Sequence, residues 1–537
     1  MGTYINKGNL AFKKILRSNY VDKSSFIAVV NSTIDTEDQF ICATRCRRFG
    51  KSIMAKTLCA YYDKSCDSRE LFKGLAIEKD PSFEEHLNKY NVLYLDVTDF
   101  TTYTKYRGHI VRSINETLTK EVKKTFSDVE FEDETDLMEC LQSIYNQTGE
   151  RFYFIIDEWD AICREFPERR KFKDSPENVE PTEMDEYVKF LRRLFKSRAS
   201  AEVFVGAYLT GILPMIKYNT ESALNNFREY SMVNPRNAPG CFGFTSEEVR
   251  LLCEKYDMDY DEMAAWYDGY QIGDEPSVFN PNSVMNAINS RTCSSYWAAT
   301  GAYDRVASYI NMNYDGLRDD IINMLAGGRC MVDSTGFEND MSVIKSKDDI
   351  FTVLIHLGYL AFDKDEHECY IPNKEVSGEW INAVKANNWK EIVGSIQSSK
   401  TLLETTLACD ADKVATYIDA AHDENTSILS YNDENSLSCV LSIAYIYAKN
   451  DYIIHRELAT GKGFADLVFI PRKQVNKPAM IVELKYDKDA DTAIEQIHRK
   501  EYQGKVLEYT DNLLLVGINY DKETKRHTCV IERYIEQ

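Results

Sequence analysis

Four short apolar runs in the first part of the chain alternate with stretches of helical spacing. They cover residues 40–44, 91–96, 152–156 and 203–209. Continuous apolar strands separated by helices are typical of a parallel sheet that helices cover on both faces. The pattern therefore predicts a parallel-sheet α/β domain over residues 1–242.

The apolar positions change to a helical spacing after this point. Thr245 and Glu248 have the spacing of a capping box, which marks the start of a helix. Helical periodicity then continues to about residue 430, with a loop predicted over 273–282 and no run of strands. We expect residues 243–430 to form a helical lid and middle region.

The last part of the chain returns to a mixed pattern. Strands are predicted over 452–458, 465–470, 479–485 and 513–519, and helices over 434–449 and 489–500. Short apolar strands interleaved with helices indicate a separate α/β domain over residues 431–537.

Composition narrows the class of protein. Apolar residues make up 44% of the 537 residues and charged residues 28%, as in soluble globular proteins. No apolar run reaches the roughly 20 residues that span a bilayer. The 14 cysteines form no CxxC pair, so we expect a cytoplasmic protein with reduced, buried thiols and no membrane partner.

The net charge of −22 argues against a protein that coats nucleic acid without specificity. Its distribution is uneven. Residues 431–537 hold 15 basic and 17 acidic residues, a net of −2, so the rest of the chain carries −20. Because binding depends on local charge, the C-terminal region should repel a phosphate backbone less than the rest of the chain does.

A phosphate-binding loop is predicted between the first strand and the following helix, at Gly50-Lys51-Ser52. Gly50 lets the backbone approach phosphate, and the amides at the helix start bind anions. Lys51 reaches the β- and γ-phosphates, and the Ser52 hydroxyl can ligate Mg²⁺. The other basic residues from Arg45 onward, Arg48 among them, are also assigned to nucleotide phosphate rather than to DNA.

The third apolar strand ends in Asp157-Glu158, the arrangement of a Walker B motif. Asp157 would hold Mg²⁺, and Glu158 would polarise the attacking water. The alternative is that both carboxylates cap the strand end and face solvent. Thr210 follows the fourth strand, where it either senses the γ-phosphate or belongs to a simple strand-to-loop turn.

A second set of polar residues lies on two C-terminal strands. Asp466 begins one strand, and Glu483 and Lys485 stand two apart on the next, so they share one face. Two carboxylates and the Leu484 carbonyl suit Mg²⁺ or Mn²⁺, and Lys485 can serve the attacking water. The alternative is a structural ion pair between Glu483 and Lys485.

The N-terminal motifs resemble the AAA-ATPase-like family of bacterial proteins, whose pattern is YVDKT, RPRRFGKS and IDEYD. The matching segments are YVDKS at 20–24, RCRRFGKS at 45–52, IDEWD at 156–160, LTG at 209–211, GFT at 243–245, WYDGY at 266–270 and NPNS at 280–283. Arg45 stands where a phosphate-binding loop normally has its first glycine, and the family typically has arginine there too. Cys46 stands where the family usually has proline. The resemblance implies ATP binding. It also suggests a homo-oligomer, with Arg228 as a candidate for the arginine that such sites take from a neighbour.

The C-terminal motif resembles the D-x(n)-E-x-K signature of PD-(D/E)XK nucleases. Gln496, with Tyr502 just beyond it, matches the family's Q…Y feature, although helix packing explains both equally well. Glu434 matches an acidic residue of the family, and Glu457 is a further candidate. The resemblance implies a restriction-endonuclease-like fold, a divalent metal and a nucleic-acid partner, with DNA the first expectation.

The sequence thus predicts an ATP-binding, metal-dependent nuclease whose nucleotide state gates the C-terminal site. In this reading Asp466, Glu483, Lys485, Gln496 and Glu158 carry the chemistry. The alternatives are a nucleotide-sensing adaptor or DNA-binding protein with inactive sites, and an ATPase motor whose C-terminal region only docks a partner.

Overall fold

The chain divides into two compact units in the computed structural model. Residues 1–302 and 331–378 form the first unit, and residues 303–330 and 379–537 form the second. No described helix is both long and apolar enough to cross a lipid bilayer. The described residues are 2–103, 106, 108–166, 182–215, 224–297, 303–310, 312, 314, 316–325, 327–337, 344–386, 390–425, 441, 444–445, 447–448, 451–460, 463–471, 475–499 and 512–534.

A five-stranded parallel sheet lies at the centre of the first unit. Its strands are β1 Phe40–Thr44, β2 Asn91–Asp96, β3 Phe152–Asp157, β4 Phe204–Gly211 and β5 Arg228–Tyr230. They run in the order β2-β3-β4-β1-β5, and each neighbouring pair is parallel. The four predicted strands are confirmed. The strand β5 was not predicted, because two of its three residues are charged and it forms no apolar run.

Alternate residues of the strands enter two hydrophobic cores on opposite faces of this sheet. Phe154 and Ile156 of β3 pack in one core, whereas Tyr153 and Ile155 pack in the other. Polar groups are therefore concentrated where the strands end. The carboxyl ends of β1, β3 and β4 lie along one edge, which is where parallel α/β sheets bind ligands.

The first unit also contains many helices, which cover the parallel sheet and continue beyond it. Their bounds are Leu10–Leu16, Ser25–Asn31, Lys51–Tyr62, Arg69–Phe72, Phe83–His86, Thr98–Thr101, Ile110–Thr125, Leu137–Thr148, Ala161–Glu165, Glu183–Phe195, Ser200–Val203, Ser246–Tyr256, Tyr260–Tyr267, Pro281–Ser290 and Lys347–Leu357, with 3₁₀ turns at Ala76–Lys79 and Pro239–Cys241. The predicted capping box is confirmed, since the Thr245 hydroxyl accepts the Glu248 N–H and the Glu248 carboxylate accepts the Thr245 N–H.

The middle region is not purely helical, and this corrects the sequence prediction. The strands β6 Phe244–Thr245, β7 Tyr270–Ile272 and β8 Glu275–Phe279 form an antiparallel sheet in the order β6-β8-β7. The strand β8 lies in the stretch that was predicted as a loop. Further short strands follow, namely β9 Cys330–Met331, β10 Ala361–Asp363 and β11 Glu368–Tyr370. Strands of two to five residues are too short for their alternation to show in a sequence.

A second five-stranded sheet lies at the centre of the second unit. Its strands are β12 Tyr452–Thr460, β13 Gly463–Pro471, β14 Ala479–Tyr486, β15 Leu513–Asp521 and β16 Arg526–Arg533, in that order across the sheet. The strands β14 and β15 are parallel, and the other neighbouring pairs are antiparallel. The four predicted strands are confirmed. The strand β16 was missed, because charged residues at both of its ends obscure the apolar alternation.

The helix Ala490–Arg499 joins β14 to β15, because parallel neighbours need a crossover connection. It packs on the sheet face that carries Ile481. Val482 and Leu484 point to the opposite face, where they pack with the helices that precede the sheet. The remaining helices that lie in this unit are Tyr303–Ile310, Leu317–Leu325, Lys390–Leu407 and Ala411–Asn425, and the helix Lys374–Ala386 runs across the boundary between the two units. The predicted mixed α/β fold class is confirmed.

Candidate functional site

The predicted phosphate-binding loop connects β1 to the helix Lys51–Tyr62. Gly50 precedes this helix with a φ of +87°, and Arg48 also has a positive φ of +69°. Glycine adopts such a conformation at little cost, whereas arginine is strained in it. The loop therefore turns sharply and leaves the helix start available to an anion.

The two predicted nucleotide motifs meet directly at the end of the sheet. The Ser52 hydroxyl donates a hydrogen bond to Asp157 Oδ1 over 3.1 Å. Lys51 is buried, and its Nζ donates to the Cys46 carbonyl of the loop over 3.0 Å. The structure thus brings together the hydroxyl and the carboxylate that a bound magnesium ion requires.

Asp157 does not face solvent, because only 2% of it is exposed. The Tyr94 hydroxyl on β2 donates to Asp157 Oδ2 over 3.0 Å. Burial, together with the nearby carboxylates of Asp96 and Glu158, raises the pKa of Asp157 to about 6. The solvent-facing alternative is therefore wrong for Asp157, which the sheet places in a desolvated position.

Glu158 follows with a positive φ of +52°. Its Oε2 lies 2.5 Å from Arg164 Nη2, and Arg164 Nε lies 2.9 Å from Asp160 Oδ2. Asp160 also accepts the backbone N–H groups of Ile212 and Leu213, just after β4. Sequence reasoning missed Arg164, although its position four residues after Asp160 on a helix is a visible signal for a pair.

Thr210 lies beside Asp157 in the register of β3 and β4. Its hydroxyl donates to the Ala43 carbonyl on β1 over 2.9 Å. This bond uses the hydroxyl hydrogen within the sheet and favours the structural interpretation of Thr210.

Arg45 and Arg48 have different surroundings in the loop. Arg45 is fully buried, and its Nη1 donates to the carbonyls of Thr44 and Tyr230 over 2.8 Å each. Burial lowers the pKa of Arg45 to about 10. The assignment of Arg45 to nucleotide phosphate is therefore wrong, because its guanidinium group is fully buried and its Nη1 is held by backbone carbonyls. Arg48 Nη1 donates to the Tyr296 carbonyl over 2.5 Å.

A cavity of about 770 Å³ opens beside the phosphate-binding loop. Its wall includes Gly50, Lys51, Ser52, Arg48 and Glu158. Tyr20, Val21 and residues of the helix Pro281–Ser290 also line it. Ligand pockets typically have volumes of about 300–1,000 Å³, and the volume of this cavity lies within that range.

The second predicted constellation converges on one face of the C-terminal sheet. Asp466 Oδ2 accepts the Leu484 N–H over 2.8 Å. Lys485 Nζ lies 3.4 Å from Glu483 Oε1 and 2.9 Å from the Leu484 carbonyl. Glu483 and Lys485 are buried, with 1% and 4% of their surfaces exposed. The structure brings these three predicted side chains together.

The helix Ala490–Arg499 adds the predicted glutamine to this cluster. Gln496 Nε2 donates to Glu483 Oε1. Gly517, which lies opposite Glu483 on β15, allows the helix to approach, since a Cβ there would lie 2.5 Å from the Ala490 carbonyl oxygen. Sequence reasoning missed Gly517, although a glycine inside an apolar strand indicates a close approach of backbone.

The donor set of this cluster suits a hard divalent cation. It offers the carboxylates of Asp466 and Glu483 and the Leu484 carbonyl, and Mg²⁺ and Mn²⁺ prefer such oxygen ligands. Within the described residues no group of three or more His, Cys, Asp or Glu side chains could hold a metal ion. A metal ion at this cluster would have two carboxylates and a carbonyl as protein ligands, with room for water and phosphate oxygens.

Three candidates lie outside what the structure describes. They are Tyr502, Glu434 and the side chain of Glu457. Arg228, the candidate for an arginine shared between subunits, pairs with Asp38 over 3.1 Å.

Family models match the two regions of the chain that contain these candidate sites. Residues 8–220 match the family model described as a predicted AAA-ATPase, and residues 433–529 match the model of the PD-(D/E)XK nuclease superfamily. The chain therefore contains a predicted AAA-ATPase domain and a PD-(D/E)XK nuclease-superfamily domain.

Individual relatives are more distant. The chain is 26% identical over 294 residues to an uncharacterized protein in the vnfD 5' region of Azotobacter chroococcum mcd 1. The match covers 52% of this chain and 50% of that protein, so the chain spans about half the length of this relative. Among solved structures, the crystal structure of Cdc6p from Pyrobaculum aerophilum aligns with 68% of this chain and 93% of that chain, with 10% identity and a TM-score of 0.25.

Proposed function

We propose that the chain is an ATP-binding, divalent-metal-dependent nuclease that hydrolyses phosphodiester bonds in its C-terminal domain. The observation that carries this proposal is the convergence of Asp466, Glu483, Lys485 and Gln496 on one face of the C-terminal sheet. Burial of a lysine and a glutamate is costly unless they are paired or used. Residues from two strands and the following helix meet here with the chemistry of a nuclease.

Each residue of the cluster has a proposed role. Asp466, Glu483 and the Leu484 carbonyl would hold Mg²⁺ or Mn²⁺, which supplies charge stabilisation at the scissile phosphate. Lys485 donates hydrogen bonds from within the cluster, so its ammonium group can orient the attacking water. Gln496 fixes the orientation of Glu483, because its amide donates to the Glu483 carboxylate.

The N-terminal cavity is proposed to bind ATP with Mg²⁺. The amides after Gly50 and the side chains of Lys51 and Arg48 would contact phosphate. Ser52 and Asp157, which share a hydrogen bond, would hold the metal. Glu158, at the cavity wall, would polarise a water for hydrolysis. The sensor role of Thr210 stays a prediction.

The arrangement of these functions along the chain is part of the proposal. Residues 1–242 would bind nucleotide, 243–430 would form the lid and middle region, and 431–537 would cut nucleic acid. We propose that nucleotide state gates the C-terminal site, and that DNA is the first substrate to examine. A homo-oligomer and a cytoplasmic location stay predictions.

A second candidate is a nucleotide-sensing adaptor or DNA-binding protein with inactive sites. Arg45 favours it, because this buried side chain replaces the glycine that normally begins a phosphate-binding loop. Binding without hydrolysis is consistent with such a loop. The same assay distinguishes the two candidates.

The test is a cleavage assay on single- and double-stranded DNA and RNA, with Mg²⁺ or Mn²⁺ and with or without ATP. The nuclease proposal predicts metal-dependent cutting that Lys485→Ala abolishes. The control Lys488→Ala changes an exposed lysine three positions away and should cut normally. ATP should change the rate in wild type but not in Lys51→Ala. Binding of nucleic acid without cutting under any condition would favour the adaptor.

A further inference from the structure

Glu375 is a buried carboxylate with no role in either proposed site. It lies in the first turn of the helix Lys374–Ala386 and is 1% exposed. Its carboxylate accepts the Ser283 hydroxyl, at 2.8 Å from Oε2, and the Tyr296 N–H, at 2.6 Å from Oε1. Burial of a carboxylate is expensive, so this position needs a physical reason.

The main chain of Tyr296 is hydrogen-bonded through both its N–H and its carbonyl group. The Tyr296 N–H donates to Glu375 Oε1 over 2.6 Å, and the Tyr296 carbonyl accepts Arg48 Nη1 over 2.5 Å. The main chain of one residue therefore connects a carboxylate to a guanidinium group. Hydrogen bonds to charged groups are the strong ones, and a chain of them polarises each member.

This bridge links two walls of the nucleotide cavity. Arg48 belongs to the phosphate-binding loop and contributes to the cavity wall. Ser283 belongs to the helix Pro281–Ser290, residues of which also line the cavity. Glu375 accepts a hydrogen bond from Ser283 directly. It is connected to Arg48 indirectly, through the main chain of Tyr296.

We propose that Glu375 is a positioning residue that anchors Arg48, through the main chain of Tyr296, until nucleotide phosphate draws the arginine away. This inference rests on the proposed ATP site. Phosphate and the Tyr296 carbonyl compete for one guanidinium group, so binding of ATP loosens the main chain of Tyr296 and then Glu375.

Competition for Arg48 determines whether a change at Glu375 raises or lowers the ATP affinity. A contact that holds Arg48 away from phosphate reduces ATP affinity, so weakening that contact raises the affinity. The change Glu375→Gln keeps the shape of the side chain and removes its charge. We expect it to tighten the binding of a fluorescent ATP analogue with Mg²⁺ by about threefold, the value of one modest hydrogen bond. General damage to the fold would weaken binding instead.

The matched control is Glu379→Gln. Glu379 is also buried, at 2% exposure, and lies one turn further along the same helix. We expect unchanged ATP affinity in this variant. Tighter binding in both variants, or unchanged or weaker binding in a folded Glu375→Gln variant, would overturn the inference.

Hydrogen exchange of the unmodified protein provides a second measurement. A non-hydrolysable ATP analogue should raise the exchange of the Tyr296 amide and of the amides in the first turn of the helix from Lys374, because the contacts of the Glu375 carboxylate loosen. Unchanged or slower exchange there, in protein that binds the analogue, would refute the inference even if the variants fail to fold. A wild-type protein that binds no ATP would instead refute the proposed nucleotide site.

Discussion

Asp157 is held between two hydroxyl groups and close to two other carboxylates. Its pKa is raised from the ordinary 3.8 to about 6, first by burial and then by Asp96 and Glu158. The folded state therefore binds the proton more tightly than the unfolded chain does. The contribution of Asp157 to stability is fully present below about pH 4 and is lost as the pH rises through about 6.

The variant Asp157→Asn tests this electrostatic cost. Because the neutral amide has no charge to desolvate, the nucleotide-free variant should be more stable than wild type above about pH 6, by up to about 3 kcal/mol. The difference should shrink toward pH 4. Thermal unfolding at a series of pH values measures it, and a difference that is constant from pH 4 to 8 would contradict the account. The same variant should lose Mg²⁺-dependent ATP binding.

Arg164 joins the carboxylates of Glu158 and Asp160 from a position that is almost fully buried. Arg164→Met should lower the free energy of unfolding of this region by about 3 kcal/mol, because it leaves Asp160 buried without its cation. Arg112 is the matched control, since its pair with Glu116 is exposed. Arg112→Met should leave the free energy of unfolding nearly unchanged, because an exposed ion pair contributes little. Equal effects of the two changes in denaturant titrations would refute the buried network.

Strands and helices were predictable where their apolar patterns were long. The four parallel strands of the first unit and four strands of the second were visible, because each contains an uninterrupted or alternating apolar run. The strands β5 to β11 were not visible in the sequence, because each contains only two to five residues. Their backbone pairing is decided by tertiary contacts, which local sequence does not encode.

The helix Ala490–Arg499 can hold Gln496 against Glu483 only because Gly517 lets it approach β15. A Cβ at Gly517 would lie 2.5 Å from the Ala490 carbonyl and 3.0 Å from Ile494. Gly517→Ala should therefore push the helix outward, reduce stability by about 1–3 kcal/mol and lower nuclease activity at least several-fold.

A second glycine serves as the control for this variant. Gly378 lies within a helix and has open space around its Cα, so Gly378→Ala should stabilise that helix by about 0.5–1 kcal/mol. Thermal unfolding and cleavage rates of both variants measure these effects. Normal stability and cutting by Gly517→Ala would show that the close approach is unimportant.

Both candidate sites were visible in the sequence because each is encoded in short motifs. Gly50-Lys51-Ser52, Asp157-Glu158 and the Asp466, Glu483 and Lys485 set combine a local pattern with a strand end. The contacts of Glu375 could not be predicted from the sequence. It meets Ser283 and Tyr296 across separations of 92 and 79 residues, and no local pattern marks such pairs.

The uneven charge of the chain is consistent with the proposed nucleic-acid site in the C-terminal domain. Residues 431–537 are nearly neutral, at −2, within a chain of net charge −22. Nucleic acid is therefore repelled less by the C-terminal domain than by the remainder. Cleavage should depend on salt, because phosphate contacts release counterions.

The measurement that bears most directly on the account is the metal-dependent cleavage rate of Asp466→Asn compared with wild type. The variant keeps the shape of the side chain and removes one carboxylate of the cluster. We predict that wild type cuts nucleic acid with Mg²⁺ or Mn²⁺ and that the variant, with an unchanged melting temperature, cuts at least about 100-fold more slowly. Equal rates in the two proteins would show that the C-terminal cluster is not the site of phosphodiester hydrolysis.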